Sequence, residues 1–216
     1  MRIGTLPSLA AAAALALAIG SPQLTPSPAR AASFNCAQAS TPAELAICND
    51  PSLSSLDSSV GVAYAQRLAL DPGLRQIQRA WLKARDVGCG KDRGCLRAFM
   101  VSELGWLRGA GRPPASIPRR PGDCTLTSVK RVDHRLEGDP QSGSAIEEAD
   151  GLIQVSYEDI PPIDASRRGD PVLVCLVSLP QDCPPGDDRG KVYAGANLRT
   201  LRAWAEADAE HMCGGA

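Results

Sequence analysis

The sequence lacks the marks of a nucleic-acid-binding protein and has few of the residues on which catalysis and metal binding usually depend. Aromatic residues make up 4% of its 216 residues, only two histidines occur, and 23 basic residues nearly balance 24 acidic ones. The net charge of −1 gives no basic field for nucleic-acid phosphates. Hydrophobic residues still make up 44% of the chain, which excludes disorder. We therefore expect a folded protein with no nucleic-acid partner.

The sequence also lacks an apolar run long enough to span a membrane. The run from Ala10 to Ile19 is well short of the roughly 20 residues that a spanning helix needs. Arg2 precedes it and the small-x-small triplet Ala29-Arg30-Ala31 follows, which is the pattern of a cleaved signal peptide. No lipobox surrounds Cys36. We expect a signal peptide over residues 1–31 and a periplasmic or secreted mature chain without a membrane anchor.

Cysteine, proline and glycine are abundant by contrast, and their positions predict the domain organisation. Eight cysteines are typical of small exported domains that disulfides stabilise. The Pro- and Gly-rich stretch 109–122 predicts a linker between domains over residues 32–108 and 123–216. Four cysteines in each half allow three connectivities per half. We expect pairing within each half, most simply Cys36 with Cys48 and Cys89 with Cys95, and then among Cys124, Cys175, Cys183 and Cys213.

The first half predicts four helices because its capping residues and its apolar spacing agree. Thr41-Pro42-Ala43-Glu44 has the composition of a capping box, and Asp50-Pro51, Asp71-Pro72 and Asp92 predict further helix starts. Apolar residues then recur at intervals of three and four, which places them on one face of each helix. They are Leu53, Leu56, Val60, Tyr64 and Leu68, then Leu74, Ile77, Trp81 and Leu82, and finally Leu96, Phe99, Met100, Leu104 and Leu107.

The second half changes to a period of two, which indicates a different domain. Residues 151–157 alternate in polarity, residues 171–179 form a β-branched run, and residues 124–135 predict another strand. Residues 197–212 predict a helix with Leu198, Leu201, Trp204 and Ala205 facing inward. The expected fold class is a disulfide-pinned, all-α N-terminal module followed by a small α+β domain.

Several motifs of the helical half recur in a set order and at set distances. They are Ser33-Phe34-Asn35-Cys36, Thr41 to Glu44, Ile47-Cys48, Gln78 to Trp81, Arg85-Asp86, Cys89 and Cys95-Leu96. Their order and spacing resemble the LprI family of secreted bacterial lysozyme inhibitors over about residues 33–108. The resemblance implies an envelope module with lysozyme as its protein partner, which would act by non-covalent occlusion of the lysozyme cleft. The chain departs from a lipoprotein member of the family in lacking a lipobox and in carrying a second half.

No residue pattern predicts an active site, a cofactor or a metal site. His134 and His211 lie in no catalytic motif, and the adjacent carboxylates at 147–148, 158–159 and 187–188 favour solvated turns over a glycosidase pair. A hydrolase is therefore the weakest of three hypotheses. We expect no enzyme activity, and the alternative to an inhibitor is an envelope binding or structural module without inhibitory activity.

One segment of the second half is a candidate partner-binding loop. A disulfide from Cys183 can fix the base of the loop over residues 181–191. Pro184-Pro185-Gly186 then predict a turn that exposes Asp187, Asp188 and Arg189. A rigid charged loop costs little entropy to dock. The competing interpretation is a plain polar connection between two elements.

Overall fold

The computed structural model describes Met1, Gly4, residues 32–109 and residues 116–215. The expected signal peptide, residues 1–31, lies outside these ranges apart from Met1 and Gly4, and so do residues 110–115 of the expected linker. Among the described residues, no helix has both the length and the apolar character needed to cross a membrane.

The N-terminal half is helical, and capping side chains begin three of its four α-helices. A short 3-10 turn, Cys36–Gln38, precedes α1 (Pro42–Cys48), α2 (Pro51–Leu68), α3 (Leu74–Cys89) and α4 (Arg93–Arg108). The predicted caps Thr41, Asp50 and Asp92 each accept a hydrogen bond from a first-turn N–H, and Glu44 completes the capping box. At α3 the prediction is wrong, because Asp71 instead accepts from the Gly73 N–H in a turn before the helix.

The apolar faces of these helices pack into one core. Leu53, Trp81 and Phe99 are at most 1% exposed, as their spacing predicted. Leu82 is the exception at 39% exposed, because it follows Trp81 directly and so points away from the buried face.

The C-terminal half is a closed six-stranded antiparallel barrel with one short helix, which confirms the α+β fold class. The strands follow the order β1-β2-β3-β6-β5-β4 around the barrel. Side chains of Val129, Ile146, Tyr193 and Trp204 are among those that fill its interior. The elements are β1 (Cys124–Leu136), β2 (Asp139–Glu148), β3 (Ile153–Val155), α5 (Pro161–Asp164), β4 (Pro171–Ser178), β5 (Val192–Asn197) and β6 (Ala203–Ala207).

The helix predicted over residues 197–212 is wrong, because this segment is a turn followed by strand β6. Leu201 has a left-handed backbone with φ of 53°, and the Asn197 side chain accepts from the N–H groups of Arg199 and Thr200. Residues 203–207 then pair with β5, and Trp204 lies opposite Gly195. Trp204 is buried as expected, but it reaches the core from a strand.

The two halves are in direct contact and share an apolar cluster. Helix α3 packs on β4, β5 and β6. At Gly88 a Cβ atom would lie 2.7 Å from Val177 Cγ2 and 3.0 Å from Ala194 Cβ, so the helix and the barrel touch closely there. At Gly122, whose φ is 91°, a Cβ would lie 2.4 Å from the Ala98 carbonyl oxygen of α4. The division into two separable domains stays a prediction, and any test of it must account for this contact.

Each half contains two disulfides, and none of the four joins one half to the other. The helical half contains Cys36–Cys48 and Cys89–Cys95, which is the simplest of its possible pairings. The barrel half contains Cys124–Cys175, between the neighbouring strands β1 and β4, and Cys183–Cys213, which joins the loop after β4 to the C-terminal segment.

Candidate functional site

The loop between β4 and β5 is anchored to the C-terminal segment at its base. Besides the Cys183–Cys213 disulfide, the Cys213 N–H donates to the Arg189 carbonyl oxygen at 3.0 Å and the Gly214 N–H donates to Asp187 at 3.0 Å. The N–H groups of Gly190 and Lys191 donate to Asp208 at 2.8 and 3.0 Å. These links hold a surface loop in one conformation, which lowers the entropy cost of binding a partner.

The three candidate residues of this loop are neighbours, but they present unequal charge. The Arg189 guanidinium donates to both carboxylate oxygens of Asp187 at 2.8 Å, and this pair holds the pKa of Asp187 well below its usual range. Asp188 forms an ion pair with Lys191 at 2.7 Å, yet its side chain is 82% exposed. Asp188 is therefore the more accessible of the two acidic groups, whereas Asp187 and Arg189 largely satisfy each other.

The motif residues of the helical half form an internal network that supports the core. Arg85, whose side chain is 3% exposed, forms ion pairs with Asp57 at 3.4 Å and with Asp86 at 2.8 Å. Ser33 donates to Asp57 from its N–H and from its hydroxyl group. Buried charges are stable when they are paired and hydrogen-bonded, so these residues fix the helices relative to each other. Arg85 and Asp57 are therefore buried structural residues, whereas Ser33 and the motif residue Arg79 are exposed.

A cavity of about 260 Å³ lies where α3 and α4 meet the start of the barrel. This cavity was not predicted from the sequence. Two of the three tryptophans lie in neighbouring helices, and that placement is the sequence feature that could have indicated an aromatic-lined cavity. Both Trp81 and Trp106 line the cavity, together with the buried carboxyl of Glu103. The remaining lining residues are Ile77, Ser102, Arg120, Gly122, Asp123, Cys124 and Leu173.

Glu103 is the buried acidic residue of this cavity. It is 6% exposed, and its Oε1 atom has no hydrogen-bond partner in the described structure. Burial raises the pKa of Glu103 to about 8, because the apolar surroundings disfavour the charged form. The indole nitrogens of Trp81 and Trp106 are also buried without a partner in the described structure. A buried carboxyl oxygen without a partner is costly and gains from a ligand that donates to it.

The histidines and the other acidic clusters lie elsewhere on the barrel half. His134 is exposed on β1, and His211 lies near the C-terminus with its ring centroid 6.5 Å from that of Tyr157. Glu147 pairs with Lys130, whereas Glu148 is fully buried and burial raises its pKa to about 8. Within the described part of the chain, no three His, Cys, Asp or Glu side chains are grouped so that they could hold a metal ion.

Comparison with known proteins gives a partial match. Lipoprotein LprI of Mycobacterium tuberculosis and Lipoprotein LprI of Mycobacterium bovis are both 32% identical to the chain over 108 residues. The match covers 48% of this chain and 54% of each relative, so the chain spans about half the length of the curated relatives it matches. The chain has a distant LprI-like relationship. No family model matches the sequence, and no solved structure gives a significant match.

The LprI-like relationship agrees with the expected environment of the protein. The relatives are named as lipoproteins, and four disulfides are compatible with an extracellular or envelope location. The relationship covers too little of the relatives to transfer an activity directly.

Proposed function

We propose that the chain is an exported lysozyme inhibitor that binds its target non-covalently and blocks the catalytic cleft. The observation that carries the proposal is the distant LprI-like relationship, joined to the motif spacing of the helical half. Lysozymes hydrolyse glycosides with two carboxyl groups in a cleft, so a protein that covers the cleft stops the reaction without chemistry of its own.

The anchored loop after β4 is the proposed contact. Asp188 projects from a loop that the Cys183–Cys213 disulfide and the Asp208 hydrogen bonds hold in place. Residues 118–216 contain 11 basic and 17 acidic residues, which gives this half a charge of −6. A negative surface attracts a cationic lysozyme and raises the association rate at low salt.

The direct test is a turbidity assay of the purified mature protein with chicken-type, goose-type and invertebrate-type lysozymes. We expect stoichiometric inhibition of at least one type, with an association rate that falls as salt rises. Absence of any complex with all three types at low salt would contradict the proposal. It would favour an envelope binding module without inhibitory activity.

A pair of matched variants tests the loop. Asp188→Ala and Asp159→Ala each remove one exposed negative charge, so they change long-range attraction equally, but only Asp188 lies in the anchored loop. We expect Asp188→Ala to increase the dissociation rate of the lysozyme complex several-fold and Asp159→Ala to leave that rate unchanged. Equal rates for the two variants would exclude the loop as the contact.

A further inference from the structure

The cavity between the helices and the barrel has the composition of a binding site for one polar group. Trp81 and Trp106 provide aromatic walls, Ile77 and Leu173 provide aliphatic surface, and Glu103 adds a buried carboxyl. A volume of about 260 Å³ admits a group of several non-hydrogen atoms. Ligand sites in proteins commonly combine apolar walls with very few polar groups in this way.

Arg120 and Asp123, two charged residues that line the cavity, pair with each other, whereas Glu103 has no cation partner in the described structure. Arg120 is 3.2 Å from Asp123, which also accepts a hydrogen bond from the Ser102 hydroxyl at 2.9 Å. On α3, Arg85 lies 5.3 Å from the centre of the Trp81 ring, but it pairs with Asp86 and with Asp57 of α2. Arg120 and Arg85 therefore already pair with carboxylates other than that of Glu103.

We propose that this cavity binds an alkylammonium group, with Glu103 as its counter-ion. The ammonium group would displace the Glu103 proton and donate to the carboxylate, which has no other cation partner in the described structure, and the electron-rich faces of Trp81 and Trp106 attract cations. The alkyl chain would pack against Ile77 and Leu173. No residue of the anchored loop lines this cavity.

The test is a titration of the full mature protein with n-butylammonium chloride, followed by tryptophan fluorescence and calorimetry at pH 7. We expect saturable binding that is at least ten-fold weaker in Glu103→Gln. n-Butanol is the neutral control of the same length, and we expect it to bind at least ten-fold more weakly than n-butylammonium. Thermal melts must first show that Glu103→Gln is folded.

Proton release distinguishes a direct role of Glu103 from a structural one. Since burial keeps this carboxyl mostly protonated at pH 7, forming the ion pair must release close to one proton per amine bound. Calorimetry in buffers of different ionisation enthalpy measures that number. Equal affinity of the wild type and Glu103→Gln, equal affinity for n-butylammonium and n-butanol, or no saturable binding would overturn the proposal. The comparison with n-butanol uses the wild type alone, so it stands even if the variant does not fold.

Once n-butylammonium binding is established, competition identifies where the ammonium group comes from. If it is a lysine side chain of a bound lysozyme, n-butylammonium will compete with lysozyme for the protein. If it belongs to a free amine, both will bind at once. Failure of the lysozyme assay alone leaves the n-butylammonium titration unaffected, so the two proposals fail separately.

Discussion

The helical half and the barrel half are cross-linked over very different lengths of chain. The helical disulfides join cysteines 12 and 6 residues apart, whereas those of the barrel half join cysteines 51 and 30 residues apart. In the chain-entropy model the stabilisation grows with loop length, from about 2 to 3 kcal/mol for the shorter loops to about 4 kcal/mol for the longest. The barrel half therefore depends more on its disulfides, and the helical half more on local structure.

Buried charge also differs between the two halves. In the helical half, Arg85 pairs with Asp57 and Asp86 inside the core. In the barrel half, Asp170 accepts from Asn197 and Arg199, which links two loops at one end of the barrel. Among the described residues, each half nevertheless contains one buried glutamate without a paired cation. These residues, Glu103 and Glu148, allow the two halves to be compared directly.

Removal of the longest cross-link should have the largest effect on stability. We expect Cys124→Ala with Cys175→Ala to lower the free energy of unfolding by about 4 kcal/mol, because the unfolded chain regains the freedom of a 51-residue loop. Cys89→Ala with Cys95→Ala is the matched control and should cost about 2 kcal/mol. Denaturant unfolding measures both values. A larger loss in the control would reverse the comparison between the halves.

The two buried glutamates should make the wild-type protein less stable as pH rises. Between about pH 4.5 and 8 the unfolded chain has lost the glutamate proton while the folded chain keeps it, so stability falls across that window and levels off above it. We expect Glu103→Gln and Glu148→Gln each to gain about 4 kcal/mol relative to the wild type at pH 8 and almost nothing at pH 4.

Chemical denaturation at several pH values measures this effect. Exposed Glu137→Gln is the control, and its stability should follow the wild type at every pH. If the variants at positions 103 and 148 lose stability in parallel with the wild type from pH 5 to 8, these carboxyls are already ionised in the folded state.

The contact between the two halves can be tested at Gly88. We expect Gly88→Ala to destabilise the protein by about 1 to 3 kcal/mol, because the added methyl group would overlap Val177 and Ala194 of the barrel. Gly105→Ala is the matched change in α4, where a Cβ meets nothing within 4 Å, and it should stabilise by about 0.5 to 1 kcal/mol. Thermal melts separate the two outcomes, and a neutral result at Gly88 would support independent domains.

The smallest effect on folding is expected in the anchored loop. Asp188→Ala should leave the denaturant unfolding curve close to that of the wild type, because the side chain is 82% exposed and its ion pair with Lys191 is at the surface. Asp187→Ala is the comparison within the same loop, since it removes hydrogen bonds from Arg189 and Gly214 and should cost more. Equal unfolding curves for the two variants would show that the loop is not held by Asp187.

The helical half could be predicted from the sequence because its signals are local. A capping side chain and a period of three to four residues lie within a few turns of the helix that they specify, as Thr41 and Glu44 show for α1. The cavity could not be predicted in this way. Its Glu103 lies on an otherwise amphipathic helix, and only the tertiary packing of α3, α4 and β4 buries the carboxyl beside two indoles.

The barrel half was predicted less completely because its strands depend on distant partners. Strand β2 contains Pro140 and Gly143, and β5 contains Gly195, all of which weaken the strand signal. Gly195 is required there, since a Cβ atom would lie 2.3 Å from the Trp204 ring on β6. The Ala- and Glu-containing segment around Trp204 favours a helix by composition, but pairing with β5 overrides that preference.

The position of the Cys124–Cys175 disulfide also imposes an order of events during maturation. Cys175 is completely buried and belongs to the apolar cluster that the helices share with the barrel. Its partner Cys124 is only partly buried, so an oxidant that meets the folded, reduced protein can form a mixed disulfide at Cys124 and not at Cys175. The Cys175 thiolate then has to complete the bond from inside the apolar cluster, and reduction of the finished bond has to start at the Cys124 sulfur.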